Sequence, residues 1–322
     1  MNRIVAACVA TLPFASPALA EGFSLSLPIA CDLTTDCFIQ QYVDSDPSSD
    51  VSDFTCSTLS YDGHKGTDFA LRNRAEIARN VPVLASAAGR VKGLRDGMAD
   101  SGYSDATAAN IDGRECGNGV VIDHGDGWET QYCHLKMGSI QVASGQQVNA
   151  GDPLGYVGQS GKAAFPHVHL SVRKDGNVVD PFDPDGKTTC GTPGDSNLWT
   201  DRPDYRAGGL IAVGMTDAIP DFDDIKAGVA AQTNLSADAS AMVVWGYLFG
   251  SQPGDIVNLS ITGPDGMIIS DDITLKKAQA QSFRAIGKKG RRAWPSGDYT
   301  GTATLIRGPQ IIGEQSTTIS VE

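Results

Sequence analysis

Short β-branched or alternating runs, broken by glycine, fill residues 81–179 and restrict the fold more than any other feature of the chain. Runs such as NGVVIDHG, WETQYCHL and HVHLSVRKDGNVV are each long enough for one or two strands, and turn residues separate them. Further alternating runs, among them AMVVWGYLF and GDYTGTATLIRG, follow in the last third of the chain. We therefore predict a mainly β protein, with an antiparallel β domain over residues 61–185 and an immunoglobulin-like β-sandwich over residues 208–322.

The first twenty residues have the form of a secretory signal peptide. One Arg precedes an apolar stretch that ends Ala18-Leu19-Ala20, the small-residue pattern after which signal peptidase cleaves. No later segment reaches the eighteen apolar residues that a spanning helix needs. We expect residues 1–20 to be removed and the mature protein to be exported, to a periplasm or to the medium, without an integral membrane segment.

Cysteines and composition define the regions around the β domain. Residues 21–60 form an irregular leader rich in Asp and Ser, and residues 186–207, rich in Asp, Pro and Gly, form a linker. Six cysteines remain in the mature chain, an even number that predicts three disulfides in an oxidising compartment; they are Cys31, Cys37, Cys56, Cys116, Cys133 and Cys190. A leader fixed by disulfides just before the first histidine motif is positioned to limit access to a site there.

One disulfide is predicted from a hairpin. The sequence between VVID and WETQY, at residues 124–127, is a turn, and continuing that register places Cys133 opposite Asn118 and close to Cys116. We therefore expect Cys116 to pair with Cys133.

Net charge argues against two classes of partner. The chain holds 38 acidic and 25 basic residues, for a formal charge of -13. That sign is wrong for a protein that coats a nucleic-acid backbone or an anionic membrane.

Four of the five histidines lie in three short motifs. In GHKGTDF, His64 and Asp68 are four residues apart, and the two glycines argue for a bent loop that enters a strand rather than a helix. His134 ends the run QYCHL. In PHVHL, a strand would project His167 and His169 to one face.

Together these residue types suit a metal. A His and an Asp from one loop, with one His of a strand pair, give the three N and O ligands of a catalytic zinc, which keeps one position for water. Calcium and magnesium prefer oxygen alone. Each motif taken singly has an ordinary structural explanation, but their joint occurrence in a chain with so few histidines favours a site. The fifth, His124, is more simply explained as a polar residue in a Gly-rich turn.

The segments GHKGTDF, QYCHL and PHVHL, in this order and at these separations, resemble the signature of the LytM/lysostaphin-type zinc endopeptidases, which cleave peptide bonds in bacterial peptidoglycan. The resemblance covers roughly residues 60–182. It implies an antiparallel β-sheet metallopeptidase domain, like the duplicated hybrid motif, with Gly-Gly or D,D-endopeptidase activity. It also implies one zinc per chain, held by His64, Asp68 and His169, with catalytic assistance from His134 and His167.

Two features depart from that signature. Phe165 and Pro166 precede His167 where a Gly-Pro pair is commoner, and an insertion-like stretch lengthens a loop at residues 95–115. Both are expected to alter the groove and the choice of substrate.

The expected reaction is hydrolysis of peptide cross-links by a zinc-bound water. The chain has no His-Glu-x-x-His motif to supply a Glu base, so proton transfer falls to His134 or His167, and the sequence does not decide between them. The alternative is a non-catalytic envelope protein that binds and activates a cell-wall amidase; such relatives typically lack one or more metal ligands, whereas all five residues are present here. A structural tether, whose sandwich binds an unknown envelope partner, is a further alternative.

Overall fold

The computed structural model describes residues 22–187, 190, 194 and 196–322, so the predicted signal peptide lies outside the described residues. The first ten strands are β1 Cys37–Gln41, β2 Thr67–Leu71, β3 Pro82–Leu84, β4 Gly89–Arg95, β5 Asn118–Gly125, β6 Trp128–Leu135, β7 Gln147–Val148, β8 Pro153–Tyr156, β9 His167–Lys174 and β10 Asn177–Val179. A 3-10 helix, Arg74–Arg79, and helix α1, Asp105–Ile111, lie between them. None of the described helices is long and apolar enough to cross a membrane.

One eight-stranded antiparallel sheet organises the first half of the molecule. Its order is β1-β2-β9-β6-β5-β4-β7, with β10 paired to β9, and β3 and β8 form a separate two-stranded sheet. Strand β9 lies in the middle because its Val168, Leu170 and Val172 alternate into the core, where all three are buried. The alternate residues His167, His169 and Ser171 face the other side of the sheet, as the His-x-His spacing predicts.

The leader differs from the prediction of an irregular segment. Residues Cys37–Gln41 form the fully buried strand β1, which pairs with β2 from Cys37↔Leu71 to Gln41↔Asp68. Five consecutive apolar or amide side chains carry no alternation because both faces of this strand are covered, so periodicity could not reveal it.

The three predicted disulfides are present, and the pairing of Cys116 with Cys133 is confirmed. The register behind that pairing was wrong by two residues, since Asn118 pairs with Leu135 and two irregularities interrupt the β5–β6 ladder. The other disulfides, Cys31–Cys37 and Cys56–Cys190, join leader to leader and leader to linker. The leader is therefore held on the first sheet by strand pairing rather than by a disulfide to residues 61–185.

The second half is a two-sheet β-sandwich. Its strands are β11 Gly209–Thr216, β12 Asn234–Leu235, β13 Ala241–Ser251, β14 Ile256–Gly263, β15 Gly266–Thr274, β16 Gln279–Lys289, β17 Gly297–Arg307 and β18 Gln310–Val321, with helix α2 at Phe222–Ala227. One sheet has the order β11-β13-β16 and the other β12-β18-β17-β14-β15. An apolar core that includes Val244, Leu259 and Leu305 lies between them. The mainly β, antiparallel prediction is confirmed; the domain boundaries and the immunoglobulin-like topology stay predictions.

The sandwich packs directly against the β1 edge of the first sheet. Phe38 of β1 and Phe249 of β13 lie in one buried cluster with ring centroids 4.6 Å apart. Gln40 donates a hydrogen bond of 2.9 Å to the Ala280 carbonyl and accepts one of 2.9 Å from Gln281. Because this interface is buried and hydrogen-bonded, the two halves have a defined relative position.

Candidate metal centre

Three of the predicted site residues converge on one point. His64, Asp68 and His169 each offer one ligand atom, and these atoms all lie within 4.8 Å of one another. His64 Nε2 is 3.2 Å from Asp68 Oδ1 and 3.1 Å from His169 Nδ1, and Asp68 Oδ1 is 2.7 Å from His169 Nδ1. Asp68 and His169 are 101 positions apart in sequence and meet because β2 and β9 are neighbours that pair these two residues directly.

Hydrogen bonds fix which nitrogen each imidazole presents. His64 Nδ1 donates to the Tyr42 carbonyl at 2.6 Å, so its Nε2 lone pair faces the cluster. His169 Nε2 donates to Ser171 Oγ at 3.1 Å, and that hydroxyl donates to the Lys65 carbonyl at 2.6 Å, so the Nδ1 lone pair of His169 faces the cluster. Metal-binding histidines usually have such an outer partner.

Neither outer partner was foreseen from the sequence. Tyr42 contributes a backbone carbonyl from the leader, which side-chain motifs cannot reveal, and Ser171 lies two residues after His169, on the same face of β9. The period-2 pattern that pairs His167 with His169 extends to Ser171 and could have identified it.

The close approach of the loop to His169 explains why the first motif has a glycine at position 66. A Cβ at this position would lie 2.5 Å from His169 Nε2 and 2.5 Å from the Leu170 carbonyl oxygen. Only glycine allows the loop to pass this closely under the imidazole.

The other two predicted histidines lie beside the cluster. The rings of His134 and His167 are 4.6 Å apart, and His134 is 6.0 Å from His169. His134 Nδ1 donates to the Ser160 carbonyl at 2.7 Å and His167 Nδ1 to the Phe165 carbonyl at 2.8 Å. Each imidazole thus keeps Nε2 as its proton acceptor. His124 lies outside this group and bonds to Ala88 and Thr130, as expected for a structural residue.

His134 is held in a backbone conformation that non-glycine residues rarely adopt. Its φ is 65°, in the left-handed region, which costs about 1–3 kcal/mol. Its amide donates to the Cys116 carbonyl at 2.8 Å, and its carbonyl accepts from Gly158 at 3.1 Å. The Cys116–Cys133 disulfide therefore anchors the partner that holds His134 in place.

Burial and neighbouring charges together lower the pKa values of His134, His167 and Asp68. Burial lowers the pKa of His134 well below its usual range, and the nearby His167 and His169 lower it further. Burial also lowers the pKa of His167, which the Asp68 carboxylate opposes. Burial alone would raise the pKa of Asp68, but the surrounding imidazoles, His64 first, hold it well below its usual range. Asp68 is therefore an anion beside the unprotonated imidazoles of His134 and His167.

Residues 62–181 match the sequence profile of Peptidase family M23, so the chain carries an M23 domain over this range. Over 120 residues the chain is 32% identical to the DD-carboxypeptidase/endopeptidase Mpg of Neisseria meningitidis serogroup B, covering 37% of this chain and 22% of that protein.

Two shorter similarities fall on other named proteins. The chain is 40% identical over 63 residues to the peptidoglycan DD-endopeptidase ShyA of Vibrio cholerae, covering 20% of this chain and 14% of that protein. It is 37% identical over 62 residues to the murein hydrolase activator EnvC of Escherichia coli, covering 19% and 14%. The chain thus spans about a fifth or less of the length of these relatives.

Proposed function

We propose that the protein is an exported zinc endopeptidase that hydrolyses peptide cross-links of bacterial peptidoglycan. The observation that carries the proposal is the convergence of His64, Asp68 and His169 with their lone pairs facing one point, beside the imidazoles of His134 and His167. The family match and the relatives named as peptidoglycan endopeptidases support the reaction class and substrate. The three disulfides support an oxidising compartment, which we take to be a periplasm.

The donor set fits zinc better than a hard cation. Two neutral imidazole nitrogens and one carboxylate oxygen are typical of a catalytic zinc site with an open position. When bound, zinc would polarise the scissile carbonyl and lower the pKa of a water ligand to about 7. His64, Asp68 and His169 would hold the ion, and the hydrogen bonds to Tyr42 and Ser171 would keep both imidazoles in the correct tautomer.

His134 and His167 then carry the proton transfers. Both are buried with pKa values below the usual range for histidine, so their Nε2 atoms are unprotonated at neutral pH and able to accept a proton. Once protonated, either imidazolium can donate to the negative oxygen of a tetrahedral intermediate or to the leaving amine. The Ser160 and Phe165 carbonyls orient the two rings for this role.

The test is digestion of purified sacculi by the mature protein, with zinc measured by mass spectrometry and new peptide termini identified in the products. We expect one zinc per chain. His64→Ala, Asp68→Ala and His169→Ala should lose metal and activity together. His134→Ala and His167→Ala should keep zinc and lose about 100-fold or more in rate. His124→Gln is the matched control and should keep both.

The alternative, activation of a cell-wall amidase, is favoured by the similarity to EnvC. It predicts that the wild-type protein releases no new termini alone, yet stimulates an added amidase. Full zinc occupancy in His169→Ala would contradict the ligand assignment, and wild-type rates in both His134→Ala and His167→Ala would contradict the assignment of the proton-transfer groups.

A further inference from the structure

A polar cleft of about 470 Å³ lies between the M23 domain and the C-terminal sandwich. Three regions form its walls. The M23 domain contributes Arg72, Arg74 and Phe165, the insertion at residues 95–115 contributes Tyr103, and the sandwich half contributes Lys226 and Tyr247. The sandwich and the insertion lie outside the three histidine motifs, so those motifs do not account for this cleft.

The walls of the cleft are fixed in place. Tyr247 belongs to the aromatic cluster at the interface of the two halves, and its hydroxyl donates to Gln281 at 2.6 Å. Two backbone hydrogen bonds connect the insertion to the loop before β9. The Tyr103 amide donates to the Ala163 carbonyl at 2.9 Å, and the Gly102 amide donates to the Gln159 carbonyl at 3.1 Å. A ligand would therefore meet a preformed site, which lowers the entropy cost of binding.

The charged side chains that line the cleft are mostly positive, whereas the net charge of the whole chain is negative. Arg72, Arg74 and Lys226 line it with one carboxylate, Asp223, although the whole chain carries a formal charge of -13. Arg72 is paired with Glu76 at 2.7 Å and Lys226 with Asp223 at 2.6 Å. A local cationic region in an acidic protein favours an anionic ligand.

Arg74 is the cation best placed to bind such a ligand. Its Nε donates to Gln159 Oε1 at 3.0 Å, which orients the guanidinium. Among the described residues, no carboxylate forms an ion pair with Arg74, and the side chain is exposed. Its outer nitrogens present the planar pair of donors that matches a carboxylate.

The cleft begins beside the catalytic group. Phe165 and Pro166 line it, and the Phe165 ring is 4.5 Å from the ring of His167. Leu71, at the end of the strand that carries Asp68, lines it as well. Phe165 therefore borders both the reacting centre and the cleft.

We propose that this cleft binds a free carboxylate of the substrate peptide, with Arg74 as the recognising group and the sandwich half as one wall. The inference rests on the proposed function for the identity of the substrate. It gives the sandwich a role in substrate selection, and it gives the Phe165-Pro166 sequence a role as the connection between the reacting centre and this subsite.

The experiment measures binding rather than turnover. The zinc-loaded mature protein is titrated calorimetrically with the uncross-linked stem tripeptide L-alanyl-γ-D-glutamyl-meso-diaminopimelate and with the same tripeptide carrying carboxamides in place of its carboxylates. The wild type should bind the acid form about tenfold more tightly, because one charge-assisted hydrogen-bond pair is lost in the amide. Arg74→Gln should lose about tenfold for the acid form and no longer distinguish the two.

Two further variants separate local from general effects. Arg79→Gln removes a cation from the same 3-10 helix that does not line the cleft, and it should bind as the wild type does. Lys226→Gln tests the sandwich wall and should weaken the acid form about threefold. Equal binding of acid and amide forms by the wild type, no measurable binding of either, or unchanged binding by Arg74→Gln would overturn the proposal. Failure of the proposed function is a separate result. In that case the protein would leave sacculi intact, while the tripeptide would still bind in an Arg74-dependent way.

Discussion

Ser171→Ala tests whether the hydrogen bond behind His169 sets the affinity for zinc. The Ser171 hydroxyl accepts a hydrogen bond from His169 Nε2 at 3.1 Å and donates one to the Lys65 carbonyl at 2.6 Å. It therefore joins His169 to the loop that carries His64. Alanine removes both bonds and frees the imidazole to rotate or to take the other tautomer. Loss of such an outer partner typically weakens metal binding by about 10–100-fold.

That loss has two measurable consequences. Competition against a fluorescent zinc chelator should give a dissociation constant about 10–100-fold higher than that of the wild type. At a fixed zinc concentration well above both constants, the zinc-linked part of the stability should fall by about 1.4–2.7 kcal/mol. Activity should recover when zinc is raised to saturation, because the proposed ligands and proton-transfer groups themselves are intact.

Two variants serve as controls for Ser171→Ala. Ser86→Ala removes another buried hydroxyl of the same domain, and that hydroxyl has no hydrogen-bond partner, so zinc affinity should not change. Ser171→Thr keeps the hydroxyl and should bind zinc within about threefold of the wild type, well short of the loss expected for a missing outer partner. Unchanged affinity in Ser171→Ala would refute the reasoning, and an equal loss in Ser86→Ala would show that the effect is not specific to His169.

Three further predictions concern other parts of the chain. Gly66→Ala should displace the His169 ring and lower zinc occupancy in the purified protein, because the new Cβ would lie 2.5 Å from its Nε2. Asp180→Asn should raise stability at pH 8, because burial, together with the nearby Asp183 and Asp53 carboxylates, raises the pKa of Asp180 to about 7. In the unfolded chain this carboxyl titrates near 3.9, so wild-type stability should fall as the pH rises from about 4 to 7, and the variant should lose that part of the slope in urea titrations. A chain that begins at Leu59 should lose part of its β-sheet signal by circular dichroism and its zinc, because truncation removes strand β1 and the Tyr42 carbonyl that orients His64.

Each of these has a contradicting outcome. Full zinc occupancy in Gly66→Ala would show that the loop can move away from His169. A pH profile of Asp180→Asn that parallels the wild type would place the slope on another group. A folded, zinc-loaded truncation with faster cleavage would instead support the expectation that the leader limits access to the site.

The sequence alone predicted which chemical groups the structure brings together at this centre. His64 and Asp68 lie in a Gly-bent loop and at the start of a strand, and His167 and His169 share one face of another, because these placements follow from local backbone geometry. The same local rules predicted the hairpin that joins Cys116 to Cys133, although the register was wrong because bulges depend on the packing of the whole ladder.

Tertiary structure decided what surrounds that chemistry. Strand β1 inside the leader, the Tyr42 carbonyl behind His64, and the cleft that joins Arg74 to the sandwich all depend on segments that are distant in sequence. Backbone carbonyls have no residue-type signature, and a strand covered on both faces has no alternation to detect. Periodicity and motif spacing report only on neighbours along the chain, whereas these contacts arise when separate sheets bury their apolar faces against each other.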